Sequence, residues 1–374
     1  MASNSNKRII FIDLMRAFAV LLMVQGHTID TFLGDQYRSF DSSLFNVWYT
    51  IRGFTAPIFM FTSGVAFTYL LRLNSNPFSQ NPRVIKGVYR FFILVIAGYL
   101  LRYPTHLIFD FTNVTHAQWM TFFTVDALQL IGFGLLFLLI LSYIGEKFNL
   151  NFYYVLIIGT SFFFGLFLLI DGINWANYIP IPFAAYFYHG TGSYFPLFPW
   201  AGYVIGGGIL GLYLAQNPLA YNSKKFTFSL LGISLASFFV CFLIHLLEDS
   251  LYGIKTFWTD NLALIFYRLG MVLILNSAMS YIAIRLKTIP DIVQQVGKNT
   301  LLIYVVHVII LYGSIWIPGF GMFYSKTLNI PFSIMAALLM VILMIGMVVL
   351  LERFKSNNSK RNLAVKIESS RSRA

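Results

Sequence analysis

The sequence predicts an all-α, multi-pass integral membrane protein with about ten transmembrane helices. Of its 374 residues, 58% are hydrophobic and only 11% are charged, and the mean hydropathy is +0.72. A soluble domain carries about 25% charged residues, so this composition argues against a water-soluble globule. The apolar residues form continuous runs instead of alternating, which argues against a membrane β-barrel. The single cysteine, Cys241, forms no internal disulfide.

Ten apolar runs each approach the roughly 20 residues that a membrane-spanning helix needs. Polar or Pro/Gly-rich breaks separate them, for example around Pro82 and at Asn217-Pro218. We expect the first run to be a retained helix and not a cleavable signal peptide, because Asp13 and Arg16 interrupt its start and no small-residue cleavage site follows. The predicted spans are 12–33, 44–71, 88–109, 122–144, 152–170, 196–215, 226–246, 259–284, 299–317 and 331–351.

The distribution of basic residues predicts the orientation of these spans. The chain has 26 Lys+Arg against 14 Asp+Glu, an excess that in a soluble protein would suggest nucleic acid. An even number of spans places both termini on one side. If that side is the cytoplasm, nineteen basic residues lie in cytoplasmic segments and only four in external loops, which predicts N-in, C-in topology and no nucleic-acid partner. The longest external loop is then 171–195.

Two regions are expected along the chain. Residues 1–352 form one transmembrane domain, and membrane lipids are its surroundings. Residues 353–374 are basic and rich in Ser and Asn, which predicts a disordered cytoplasmic tail. Such a tail would face anionic lipid headgroups.

The first span contains four ionisable residues, Asp13, Arg16, His27 and Asp30. A charge at the bilayer centre costs about 2.5–3.5 kcal/mol on insertion scales, so it usually faces a cavity or a partner. The eleven-residue step from Arg16 to His27 makes three turns plus about 20°, so both point the same way about 16 Å apart. Asp13 and Asp30 lie near the same face. This stripe predicts a functional site, with an Asp13–Arg16 ion pair and a packing role for His27 as the structural alternatives.

The chemistry of these residues suggests proton transfer. His27 could act as a base, with Asp30 one turn beyond accepting its N–H. Arg52 in the second span lies at a similar depth and either pairs with Asp30 or binds an anionic group. Arg268 in the eighth span needs a partner elsewhere, such as a ligand phosphate, and His307 in the ninth is a further candidate. There is no HExxH motif and no carboxylate cluster, so no metal is expected.

Arg16 followed by ten residues and His27 resembles the R-x10-H signature of the integral-membrane acyltransferase-3 proteins. The surrounding sequence is similar to that of the heparan-alpha-glucosaminide N-acetyltransferase-like proteins. Two departures stand out: Ala17 replaces a glycine that usually follows the arginine, and the large lumenal domain of the lysosomal enzyme is absent. Acceptor specificity therefore does not transfer. The matching segments are IDLMRAFAVLLMVQGHTID (12–30), RGFTAPIFMFTSGVAF (52–67), FPWAGYVIGGGILG (198–211) and VGKNTLLIYVVH (296–307).

The resemblance implies an enzyme of the plasma (bacterial inner) membrane that moves an acyl group, expected to be acetyl, from cytosolic acyl-CoA. The acceptor is a sugar or another small molecule on the extracytoplasmic side. Direct transfer and an acyl-histidine intermediate both stay open, as does a homodimer. The alternatives are a proton-coupled transporter or flippase that uses the same residues, and a catalytically silent scaffold. The expected roles are catalysis for His27 and Asp30, donor binding for Arg16, Asp13 and Arg268, and substrate binding for Arg52 and His307.

Overall fold

The structure is a computed structural model that describes residues 9–73, 76–217, 219–252, 261–286 and 288–371. Over these ranges the regular structure is helical apart from two isolated β-bridges, which confirms the all-α class. The helices are α1 (Ile10–Phe32), α2 (Ser43–Gly53), α3 (Thr55–Arg72), α4 (Pro82–Leu101), α5 (His116–Phe123), α6 (Ala127–Lys147), α7 (Phe152–Ile170), α8 (Ile181–Ala184), α9 (Leu197–Gln216), α10 (Lys224–Tyr252), α11 (Leu262–Arg285), α12 (Asp291–Lys298), α13 (Thr300–Tyr312), α14 (Gly321–Tyr324) and α15 (Ile330–Arg371).

The helices match the predicted spans in number and order. Within the described ranges, nine helical segments are long and apolar enough to cross a membrane, with α2 and α3 counted as one. The span predicted at 299–317 is a pair, α12 and α13, bent by 74°, and counting the pair as one span gives ten. The third span was predicted as 88–109, which is wrong at both ends. It runs from Pro82, which starts α4, to Leu101, because the backbone before Pro104 disfavours helix.

The last helix extends past the predicted boundary of the tail. It runs to Arg371, and residues 353–357 are exposed. The exposed start of this segment has little packing to hold it in place. Disorder of residues 353–374 stays a prediction.

Glycines allow α3 and α9 to pack backbone against backbone at the centre of the bundle. A Cβ atom on Gly64 would collide with the carbonyl of Val204, and one on Gly207 would collide with the carbonyl of Phe61. Close approach through small residues is the usual way in which membrane helices gain packing energy, because lipid provides no hydrophobic drive between helices. The same contact places Trp200, near the start of α9, in the interior of the bundle.

The periphery of the bundle is apolar. On α4, α7, α10 and α15, large hydrophobic side chains point outward and are more than half exposed, for example Ile85, Ile158, Phe239 and Ile342. A soluble protein rarely exposes apolar area on this scale. The protein is therefore a multi-pass membrane protein whose outer helices face lipid.

The beginning of α1 and the end of the last span lie at the same end of the bundle. Arg16 donates to Thr300 Oγ1 at 3.0 Å, and the neighbouring Asn299 donates to Glu352 at 3.3 Å. We call this the proximal end. His27 and the connection 171–195 lie toward the other, distal end. Which end faces the cytoplasm follows only from the charge bias and stays a prediction.

Reporter fusions test this orientation. We expect a fluorescent reporter on the C-terminus to fold in the cytoplasm, and a phosphatase reporter in the 171–195 connection to be active outside, because the predicted spans leave nineteen basic residues in cytoplasmic segments and four in external loops. A phosphatase that is active at the C-terminus would invert the topology and move the donor to the opposite face.

Candidate functional site

A cavity of about 860 Å³ occupies the distal half of the bundle. Residues from seven parts of the chain face it, so no single sequence segment defines it. Its volume falls in the range of small-molecule sites. Charged and aromatic side chains predominate among the functional groups that line it, namely His27, Asp30, Tyr49, Arg52, Arg102, Tyr103, Asp126, Tyr194, Trp200, Arg268, Tyr304 and Tyr312.

Two histidines from different helices meet at the wall of this cavity. His27 lies on α1 and lines the cavity, whereas His307 lies on α13 and is fully buried behind it. Their Nδ1 and Nε2 atoms, respectively, are 3.3 Å apart, which is hydrogen-bonding distance. The other ring nitrogen of His307, Nδ1, is 2.8 Å from the carbonyl oxygen of Ile303.

This chain of contacts assigns the protons when both rings are neutral. A carbonyl oxygen only accepts, so His307 Nδ1 must carry a hydrogen and donate it to Ile303. His307 Nε2 is then the acceptor, and His27 Nδ1–H donates to it. The lone pair of His27 is left on Nε2. A histidine held in one tautomer with a free nitrogen in a cavity is suited to remove a proton.

Asp30 is bound elsewhere than the sequence led us to expect. Its Oδ2 accepts from Arg52 at 2.7 Å, and its Oδ1 accepts from Arg38 at 3.1 Å. The first contact is the Arg52–Asp30 pair that the sequence left as one alternative for Arg52. The acceptor for the His27 N–H, expected to be Asp30, is His307 Nε2. Asp30 instead fixes the guanidinium of Arg52 at the edge of the cavity.

A second ion pair also lines this cavity. Arg102 follows the end of α4 and donates to Asp126 at 2.8 Å. Asp126 is also the N-cap of α6, where its carboxylate accepts from the backbone of Ala127 at 2.7 Å. Burial alone would lower the pKa of Arg102, but the charge and hydrogen bond of Asp126 raise it, so the guanidinium stays charged.

A smaller pocket of about 210 Å³ lies in the proximal half. Four basic residues face it: Arg16 from α1, and Arg83, Lys86 and Arg90 from α4. The α4 residues are three and four positions apart, which places them within about 60° of one another on one helix face. Phe59 borders both this pocket and the distal cavity, so the two spaces are neighbours within the bundle.

The predicted site residues divide between these two spaces. His27, Asp30, Arg52 and Arg268 line the distal cavity, with His307 behind His27. Arg16 lines the proximal pocket. Asp13 is buried where α1 crosses α12, with its backbone against Gly297. Arg268, expected to bind the donor with Arg16, therefore lies in the other space, together with the histidine.

Sequence reasoning missed two groups of residues. Arg83, Lys86 and Arg90 were counted only as loop charges, although their spacing could have predicted one basic face on α4. No sequence pattern indicated the Arg102–Asp126 pair, because its two residues belong to different parts of the chain and no spacing within one helix relates them. Among the described residues no group of three His, Cys, Asp or Glu side chains could hold a metal ion.

A lipid-facing helical bundle with a histidine pair in a charged cavity, and a basic pocket behind it, has the features of a membrane-embedded transferase. The sequence profile of the acyltransferase-3 family, described as an acyltransferase domain, matches residues 9–352. The chain belongs to this family of membrane acyltransferases. No curated protein matches the sequence closely enough to count as a relative.

Proposed function

We propose that the protein transfers an acyl group, acetyl in the first instance, from acyl-CoA to a hydroxyl or amine of a sugar or another small acceptor. The observation that carries this proposal is the arrangement of the two spaces. A basic pocket suited to the phosphates of a donor borders, at Phe59, a cavity that contains a histidine base. The resemblance of the sequence segments to the heparan-alpha-glucosaminide N-acetyltransferase-like group supports acetyl as the acyl group.

The donor binds from the proximal end. Coenzyme A is strongly anionic at its nucleotide end, and Arg16, Arg83, Lys86 and Arg90 provide the cations that such a group requires. From Arg16 to His27 the distance along α1 is about 16 Å, which suits a long pantetheine arm that passes Phe59. On the predicted topology this end faces the cytoplasm, where acyl-CoA is available, and the membrane is the bacterial inner membrane.

The reaction takes place beside His27. Nε2 of His27 removes the proton from the acceptor hydroxyl or amine as the acceptor oxygen or nitrogen attacks the thioester carbonyl carbon. A new C–O or C–N bond forms, the C–S bond breaks, and the departing thiolate takes up the proton from the imidazolium. The negative charge that develops on the carbonyl oxygen needs a donor. Arg52, which Asp30 holds at the cavity, is one candidate, and backbone N–H groups are the other.

The acyltransferase proposal is better supported than the transporter and scaffold alternatives. The family contains acyltransferases, and its profile extends over nearly the whole chain instead of one segment. The buried histidine pair has a use in transfer chemistry, and no observation in the described residues favours solute movement over it.

The direct test is a two-part assay on detergent-solubilised protein. Binding of acetyl-CoA is measured by calorimetry, and release of free CoA thiol is then followed with and without a mixture of candidate acceptors. We expect saturable binding and thiol release that rises with an acceptor. A folded protein that neither binds acetyl-CoA nor cleaves it would disprove the proposed function.

Arg16→Ala is expected to weaken acetyl-CoA binding about ten- to a hundred-fold. The reason is that a hydrogen bond to a charged group contributes about 1.5–3 kcal/mol. Calorimetric titration of the variant gives the affinity, and its melting temperature shows whether the loss of the Arg16–Thr300 contact has unfolded it.

Two further variants complete this comparison. Lys86→Gln removes a pocket charge that is exposed, so it should weaken binding without a folding defect. Lys147→Ala removes an exposed charge from the same end but outside the pocket, and it should bind as the wild type does. If all three variants bind acetyl-CoA with the affinity of the wild type, Arg16 is a structural residue and the donor binds elsewhere.

A further inference from the structure

The proximal pocket and the distal cavity meet at one aromatic side chain. Within the described part of the chain, Phe59 is the residue that lines both spaces. Along α3, Ala56 lines the distal cavity and Ser63 lines the proximal pocket, so Phe59 lies about one turn from each of them. Its side chain is 7% exposed, which places the ring inside the bundle. The boundary between the two spaces therefore passes through the ring of Phe59.

A second ring, from α13, lies at the same boundary. On this helix Leu301 lines the proximal pocket, and Tyr304, about one turn further on, lines the distal cavity. The rings of Phe59 and Tyr304 stack with their centroids 6.3 Å apart and an angle of 12° between their planes. Tyr304 in turn meets the ring of His307 edge-to-face at 5.6 Å. Phe59 thus rests against a ring that is itself held in place by packing.

The boundary is apolar on α6 as well. Ala127 lines the distal cavity and the next residue, Leu128, lines the proximal pocket, and both are buried. A passage with apolar walls excludes charged groups, because nothing in it replaces the water that they lose. It accepts an apolar chain that is thin enough to pass the ring of Phe59.

The proposed donor has its two ends in different spaces. Its phosphates need the cations of the proximal pocket, such as Arg16 and Lys86, whereas its thioester carbonyl must reach His27, which lines the distal cavity. The acyl group leads the pantetheine arm, so it is the first part of the donor to pass Phe59. A thin chain passes when the ring turns aside, but a wide acyl group needs more space than a closely packed interior provides.

We propose that Phe59, held by Tyr304, is a specificity residue for the donor, which admits narrow acyl groups to His27 and excludes acyl groups that branch beside the carbonyl. This inference rests on the proposed function and deepens it. The cations of the proximal pocket do not determine this property, because they bind phosphates that every acyl-CoA carries.

Propionyl-CoA and isobutyryl-CoA test the inference, because their acyl groups have the same length and differ by one methyl group in width. The kcat/KM for thiol release is measured with each donor in the presence of the acceptor mixture. We expect the wild type to prefer propionyl-CoA, and Phe59→Ala to reduce this preference about ten-fold, the low end of what one carbon contributes in a tight apolar site. Comparing the variant with the wild type cancels the lower intrinsic reactivity of the branched thioester.

A second substitution at the same position keeps the test decisive if Phe59→Ala does not fold. Phe59→Leu retains more of the apolar volume, so it should reduce the preference in the same direction by a smaller factor. The melting temperature of each variant shows that the protein compared is folded.

Phe61→Ala is the matched control. Phe61 lies on the same helix, is 3% exposed and lines neither of the two spaces, so this variant also removes a buried ring from α3 but does not widen the passage. It should keep the preference of the wild type. An unchanged preference in folded Phe59 variants, or an equal change in Phe61→Ala, would overturn the inference while the acyltransferase proposal stands. A wild type that cleaves no acyl-CoA would instead disprove the proposed function, and the inference with it.

Discussion

His27→Ala is expected to abolish acyl transfer while leaving acetyl-CoA binding intact. General-base catalysis by a positioned side chain contributes about 10²–10⁴-fold to the rate, and His27 is the base whose lone pair the His307 contact leaves available. The measurement is the rate of thiol release in the presence of acceptor, with donor affinity determined on the same preparation. His116→Ala is the control, because it removes an exposed histidine at the distal end of the bundle.

A labelling experiment on the wild type determines the order of steps. The protein is incubated with labelled acetyl-CoA in the absence of acceptor. Label retained on His27 means that an acyl-histidine forms, and an unlabelled protein means direct transfer. A His27→Ala protein that transfers acyl groups at the wild-type rate would show that the base is another residue.

His307→Ala should lower the transfer rate about 10²-fold. Without an acceptor at the His307 position, His27 is no longer held with its proton on Nδ1. Loss of a charged orienting carboxylate costs about 10⁴-fold in the serine proteases, and a neutral partner should matter less. The rate is measured at saturating acetyl-CoA, so that a change in donor binding does not enter.

His307 acts on the reaction through His27, so its test needs a variant that restores the acceptor. His307→Gln places an amide oxygen near the position of Nε2 and should recover much of the rate. His307→Leu fills similar space without an acceptor and should resemble His307→Ala. If Gln and Leu variants of equal melting temperature lose the same activity, His307 is a packing residue and does not orient His27.

Asp30 shows why the partners of a buried residue are hard to predict from one helix. The i+3 spacing places Asp30 on the same face of α1 as His27, and both residues line the distal cavity. The residue is nevertheless bound by Arg52 from α2 and by Arg38 from the following connection. A charge-assisted hydrogen bond to arginine is stronger than one to a neutral imidazole. The carboxylate of Asp30 therefore binds the two arginines, and His307 accepts the hydrogen bond from His27.

The sequence by itself determined the class of the fold, the number and order of the spans, and the helix that carries the central histidine. These properties depend on composition, on run length and on spacing within one helix, which the bilayer constrains directly. Only the tertiary structure decided that His307 meets His27, that Arg102 meets Asp126, and that Arg268 lies in the distal cavity while Arg16 lies in the proximal pocket. Each of these relations joins different helices, and their relative rotation and depth are set by contacts such as Gly64 against Val204, which no local pattern specifies.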